Sequence, residues 1–142
     1  MKTVPQIRKH TLVLAIGSAL LAPFASYAAN GQQVARNGQH LDVAAGDYAT
    51  TSANMSVLFA LDGGSITATD ANLVSTGSDA HGIEAISNSN VTATNVSVTT
   101  AGRGASGILA SQIGTLVKFE GGGITTTNGF RPSVRSLSFG WK

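Results

Sequence analysis

The sequence predicts an all-β fold. The expected architecture is a right-handed parallel β-helix (β-solenoid), behind a signal peptide. It has about three to four coils of roughly 25–26 residues each, within the range of known solenoid repeats. Three observations carry this. The chain matches itself at a shift of 25 residues that becomes 26 in the last unit, so it repeats. Apolar and polar residues alternate within each matched unit. The composition of the 142 residues, with 17 Gly and 11% charged side chains, favours turns and strands over helix.

The first element is an address. Lys2, Arg8 and Lys9 form a positive head, Leu12 to Leu21 an apolar run broken only by Gly17 and Ser18, and Ser26-Tyr27-Ala28 a small-residue cleavage motif. This is the layout of a secretory signal peptide, with cleavage expected between Ala28 and Ala29. The apolar run is shorter than the ~20 residues that span a bilayer, and Pro23 would break a continuing helix. No transmembrane segment is therefore expected in the mature chain. The segment plan is 1–28 signal peptide, 29–40 lead-in, 41–129 solenoid and 130–142 an off-pattern tail.

The repeat supplies the body. ITATDANLVSTGSDAHGIEA (66–85) lies on VTATNVSVTTAGRGASGILA (91–110) without a gap. Farther along, the shift grows by one, so that Val117 falls on Val91 and Ile124 on Val98. Three columns of apolar residues emerge: Leu41, Ile66, Val91 and Val117; Tyr48, Leu73, Val98 and Ile124; and Leu58, Ile83 and Ile108. Their neighbours recur at i+2, the strand period. Three short strands per repeat, parted by Gly, Asn, Asp and Ser, describe one coil. Like positions in successive coils then stack as parallel strands about 4.8 Å apart. These columns are structural residues that face inward, whereas Thr67, Thr69, Thr92 and Thr94 face out. Gly82 and Gly107 precede strands, where a corner is expected to need backbone freedom.

Charge excludes one class of partner. The net +2 comes from the ends: residues 10–130 hold three cations against seven acids. Nucleic-acid binding is therefore not expected. The chain has no Cys, which removes disulfides, thiolate nucleophiles and thiolate metal sites.

The stretches GGSITATDANLVSTGSDAHGIEA (63–85), NVTATNVSVTTAGRGASGILA (90–110) and GTLVKFEGGGITTTNG (114–129), behind a signal peptide, resemble the passenger region of pertactin-like bacterial autotransporters. The resemblance implies export by the secretion machinery, delivery across the outer membrane by a C-terminal β-barrel, and a surface role as an adhesin or virulence factor. Its implied partner is an unidentified host-cell or matrix receptor. Two departures stand out. The amphipathic strand series of such a barrel is missing, and after Gly129 the repeat gives way to FRPSVRSLSFGWK. A frameshift or premature end is expected to produce that change; a capping segment is the alternative. A fragment of this kind is expected in the periplasm, and the intact family at the outer membrane and cell surface.

No residue is expected to be catalytic, to bind metal or to hold a cofactor. His81 is the most tempting candidate, but its equivalent one coil on is Ser106, so the position accepts a polar residue in a turn. No spacing sets a Ser, a His and an Asp as nucleophile, base and orienter. GGGITTTNG lacks the Gly-Lys-Ser/Thr of a phosphate loop. Asn54-Met55-Ser56, Asn90-Val91-Thr92 and Asn95-Val96-Ser97 match the glycosylation sequon in a chain rich in these residues. Thr67-Ala68-Thr69 over Thr92-Ala93-Thr94 makes an ice-binding-like ladder that Lys118 and Glu120 end. The expected role is a non-enzymatic passenger fragment. A carbohydrate-active β-helix enzyme and a non-functional remnant are the alternatives.

Overall fold

The computed structural model describes residues 30–128 and 134–136. Eleven strands and no helix occur among them: β1 Gln33–Arg36, β2 His40–Val43, β3 Gly46–Thr50, β4 Leu58–Leu61, β5 Ser65–Thr69, β6 Ala71–Ser75, β7 Ile83–Ile86, β8 Asn90–Thr100, β9 Ile108–Ser111, β10 Leu116–Thr126 and β11 Val134–Ser136. All pair in parallel as a β-solenoid of about four turns. One sheet runs β1-β4-β7-β9-β11. The other runs β2-β5-β8-β6-β3, with β10 on the open side of β8. Because β8 and β10 cross a corner, this second sheet is folded into two faces.

The register repeats the sequence match. Leu58 pairs with Ile83 and Ile83 with Ile108, a constant step along the chain. Val91 then pairs with Val117, a step longer by one. The extra residue sits in the turn 112–115, one longer than the equivalent turn 87–89.

Three corners close each coil, and most turn on residues that tolerate a left-handed backbone. After the first strand of a coil, Asn37-Gly38 and Asp62-Gly63 have positive φ at both positions. The Gln39 amide donates to the Arg36 carbonyl and the Gly64 amide to that of Leu61, at 3.0 Å each. In isolation Asn-Gly and Asp-Gly signal a hairpin. Here the strand partner lies one coil away, so the same turn makes a corner. The second corner turns on Asp70, then Asn95, then Gly121; the third on Asn54, Asp79 and Gly104. Asn, Asp and Gly avoid most of the roughly 1–2 kcal/mol that a left-handed residue otherwise costs.

The core fills the tube. Ile66, Leu73, Leu58, Ile83, Val91 and Val98 are fully buried, and Tyr48 and Ile108 nearly so. Leu41, Val117 and Ile124 pack on the core but stay half-buried, because each lies in an end coil with a neighbour on one side. Thin columns of alanine run between them: Ala35, Ala60, Ala85 and Ala110, then Ala68 and Ala93. A further inward column is polar. Thr50, Ser75 and Thr100 are buried one coil apart. Ser75 Oγ donates to the Ala80 carbonyl at 2.7 Å, and Thr100 Oγ1 donates to Thr126 Oγ1 at 3.1 Å.

Three details differ from the sequence reading. First, the coils begin at Gln33, inside the segment read as a lead-in; Gln33 stands in the column of Leu58 and Ile83. A polar residue at the tube's end masks the pattern there, and its side-chain amide donates to the Gly31 carbonyl. Second, strand pairing resumes inside the segment read as off-pattern, where Val134 pairs with Ile108. Third, Gly82 has no positive φ. It is needed for space: a Cβ there would strike Val98 Cγ1 and crowd the Gly107 carbonyl oxygen. The signal peptide, with Ala28 and Ala29, lies outside the described residues.

The column assignment sets a contrast between two single changes. Ile83 is fully buried and Thr67 points outward from β5. Ile83→Asp buries an unpaired carboxylate, which costs several kcal/mol against a total stability of about 5–15 kcal/mol. Thr67→Asp, beside Asp42 in the next strand, is expected to cost no more than about 1 kcal/mol. Thermal unfolding followed by circular dichroism distinguishes them, and equal losses would contradict the inward columns.

Candidate functional site

Stacking at a fixed register brings together side chains that are remote in sequence. The first such cluster lies on the outer face of β2 and β5. His40 and Asp42 are two apart on β2 and so share a face, and His40 pairs in register with Ser65. His40 Nδ1 lies 2.8 Å from Ser65 Oγ, and His40 Nε2 lies 3.0 Å from Asp42 Oδ1. A Ser, a His and an Asp are thus joined by hydrogen bonds. The sequence reading found no such set, although His40 and Ser65 are one repeat apart.

The order of atoms suits a base held by a carboxylate, but the surroundings do not suit acyl transfer. The His40 and Asp42 side chains are 52% and 80% exposed, so water screens the pair. The Ser65 backbone N–H, the donor nearest to hand for an oxyanion, donates instead to the Gln39 carbonyl at 2.8 Å. The two hydrogen bonds link the outer faces of β2 and β5.

The second cluster is a ladder at the third corner. Ser56, His81 and Ser106 occupy equivalent places in successive coils. The His81 backbone N–H donates to Ser56 Oγ at 3.0 Å, and the Ser106 backbone N–H donates to His81 Nδ1 at 2.9 Å. Ser56 Oγ donates in turn to Glu84 Oε2 at 2.6 Å. Ser56 and His81 each satisfy a backbone N–H of the coil that follows. His81 Nδ1 is therefore the acceptor toward the Ser106 backbone.

Outside these clusters the folded sheet presents hydroxyls and amides. Thr67 pairs with Thr92 and Thr69 with Thr94. Lys118 and Glu120 occupy the next coil as an exposed ion pair at 3.1 Å, worth little in itself. Asn72 Nδ2 donates to Asp47 Oδ1 at 3.0 Å across one coil step. Among the described residues no three His, Asp or Glu side chains gather as metal ligands. No helix of the described residues is long and apolar enough to cross a membrane.

No protein-family model, curated protein or solved structure matches the chain.

The ladder makes a specific prediction. His81→Ser keeps an acceptor of the kind used by Ser56 one coil before, so the melting temperature should change little. His81→Val leaves the Ser106 N–H, on a residue that is 4% exposed, without that acceptor. The expected loss is about 1–3 kcal/mol. Chemical denaturation of both variants measures the difference, and equal stabilities would remove the ladder from the account.

Proposed function

We propose that the protein is an exported, non-enzymatic passenger-type β-solenoid whose outer faces serve in adhesion. The observation that carries this reading is the pairing of a signal-peptide layout with coils whose outward side chains form flat arrays. Ser65, Thr67 and Thr69 stand beside Asn90, Thr92 and Thr94, one strand spacing apart. Such a face offers many weak polar contacts to an extended partner and suits binding by area. The resemblance of 63–129 to pertactin-like autotransporter passengers supports the same role. This passenger would reside in the periplasm, and at the cell surface when carried by an outer-membrane translocator. The partner it would meet there is a host-cell or matrix receptor.

Two measurements test the reading. Expression in a bacterial host followed by N-terminal analysis of the periplasmic fraction should yield a chain starting at Ala29. An uncleaved cytoplasmic product would contradict export. The purified chain should bind cell or matrix surfaces saturably, and Thr67→Lys with Thr92→Lys should reduce binding several-fold while leaving the fold intact. Unchanged binding by that variant would contradict the hydroxyl face as the contact. Turnover of a polysaccharide, read as new reducing ends, would favour an enzyme instead.

A further inference from the structure

The ladder at the third corner contains one rung that titrates. Ser56, His81 and Ser106 lie in the turns that lead into β4, β7 and β9. Between Ser56 and His81 the acceptor is a hydroxyl, which stays neutral. Between His81 and Ser106 it is a ring nitrogen, 2.9 Å from the Ser106 backbone nitrogen. A ring that accepts at Nδ1 is neutral and carries its hydrogen on Nε2. A protonated ring donates from both nitrogens and accepts at neither. A proton on Nδ1 would therefore face the Ser106 N–H, on a residue that is 4% exposed.

The coil held by this rung is thinly covered. Ile113 and Leu116, in the turn before β10 and at its start, are 82% and 60% exposed. Val117, Phe119 and Ile124 on β10 are only partly buried against the core. At the corner itself, the Gly82 and Ile83 N–H groups donate to the Ser106 and Gly107 carbonyls at 3.1 and 2.9 Å. The His81 ring supplies the bond in the return direction. Losing it leaves the joint with bonds of one direction and a buried donor unmet, which is costly.

The charged residues of this corner, among the described residues, are Asp79 and Glu84 in the coil of His81 and Arg103 in the coil that follows. The coil before brings none between Ser52 and Leu58. Asp79 and Arg103 are exposed and opposite in sign, so water screens both and they offset each other. Glu84 favours a protonated ring, but its Oε2 is held by Ser56 Oγ, on the side of the coil before.

We propose that His81 makes the joint between the coil of β7 and β8 and the coil of β9 and β10 sensitive to pH. The joint is closed while the ring is neutral and loosens when the ring takes a proton. The unfolded chain takes that proton at the ordinary His value of about 6.5, and the closed joint resists it. The contribution of the rung is therefore full above about pH 6.5 and is lost as the pH falls below it. This does not depend on the adhesion reading.

Amide hydrogen exchange of β9 and β10 tests it, read at about pH 7.5 and about pH 5.5, one unit either side of the ordinary His value. His81→Ser, measured at each pH, cancels the intrinsic pH dependence of exchange and keeps an acceptor that does not titrate. His81→Asn serves the same purpose through its Oδ1 if the serine variant folds poorly. Between the two pH values, protection of β9 and β10 in the wild type should fall several-fold, up to about tenfold, relative to the variant. Protection of β4 and β5 should keep its ratio. His40→Ser should behave as the wild type. A ratio for β9 and β10 that stays flat overturns the proposal, as does one that rises on acidification, because Glu84 would then govern the ring. Loss of the effect in His40→Ser overturns it as well.

Discussion

The chain must return on itself once per repeat, one strand spacing higher each time. Everything else in the structure depends on that return. A single coil buries too little to hold its own shape; its backbone donors and acceptors are met by the coils above and below. The same constraint explains the corners. A coil of fixed length closes only if the backbone turns sharply at three places, and Asn37, Asp62, Asp70, Asn95, Asn54 and Asp79 all adopt positive φ to do so. It also explains close approaches such as Gly102, where a Cβ would fall on the carbonyl of Gly77 in the coil before.

Stacking in register converts sequence period into chemical neighbourhood. Side chains one repeat apart become contacts, so each coil's polar groups find partners in the next. Ser87 Oγ donates to Gln112 Oε1 at 2.6 Å, and Ser89 Oγ, fully buried, donates to the Ala60 carbonyl at 3.0 Å. The buried hydroxyls of Ser56, Ser89 and Thr100 are satisfied across a coil step in this way, that of Ser75 within its own coil, and Thr50 Oγ1 is left without a partner. The cost of a mismatch is local, because each coil contacts its neighbours alone.

The repeat made the fold legible. Apolar columns at i and i+2, carried at a constant shift, were enough to place the strands, their register and the one-residue lengthening of the last coil. Less was legible at the ends, where Gln33 replaces an aliphatic and where pairing at Val134 needs only backbone. The corners were legible as a class, since Gly, Asn, Asp and Ser part the strands, but not by residue: Gly82 and Gly107, expected to need backbone freedom, have no positive φ, whereas Asp70 and Asn95, one repeat apart, do. The outer surface was least legible. The link between His40 and Ser65 arises from stacking, and the outward Phe59, Leu61, Ile86 and Leu109 alternate with the inward residues of β4, β7 and β9, so the inward columns say nothing of them. Inward positions obey a packing rule that sequence displays; outward positions obey whatever they contact.

The most direct test of the account is the register itself, and the absence of native cysteine makes it clean. Thr67 and Thr92 are paired on adjacent coils, so their Cα atoms stand about one strand spacing, ~4.8 Å, apart, within the range a disulfide spans. The pair Thr67→Cys with Thr92→Cys should cross-link under mild oxidation and raise the melting temperature. The pair Thr67→Cys with Thr94→Cys, offset by two positions, should not. Cross-linking of the offset pair, or of neither, would contradict a parallel stack of coils in this register.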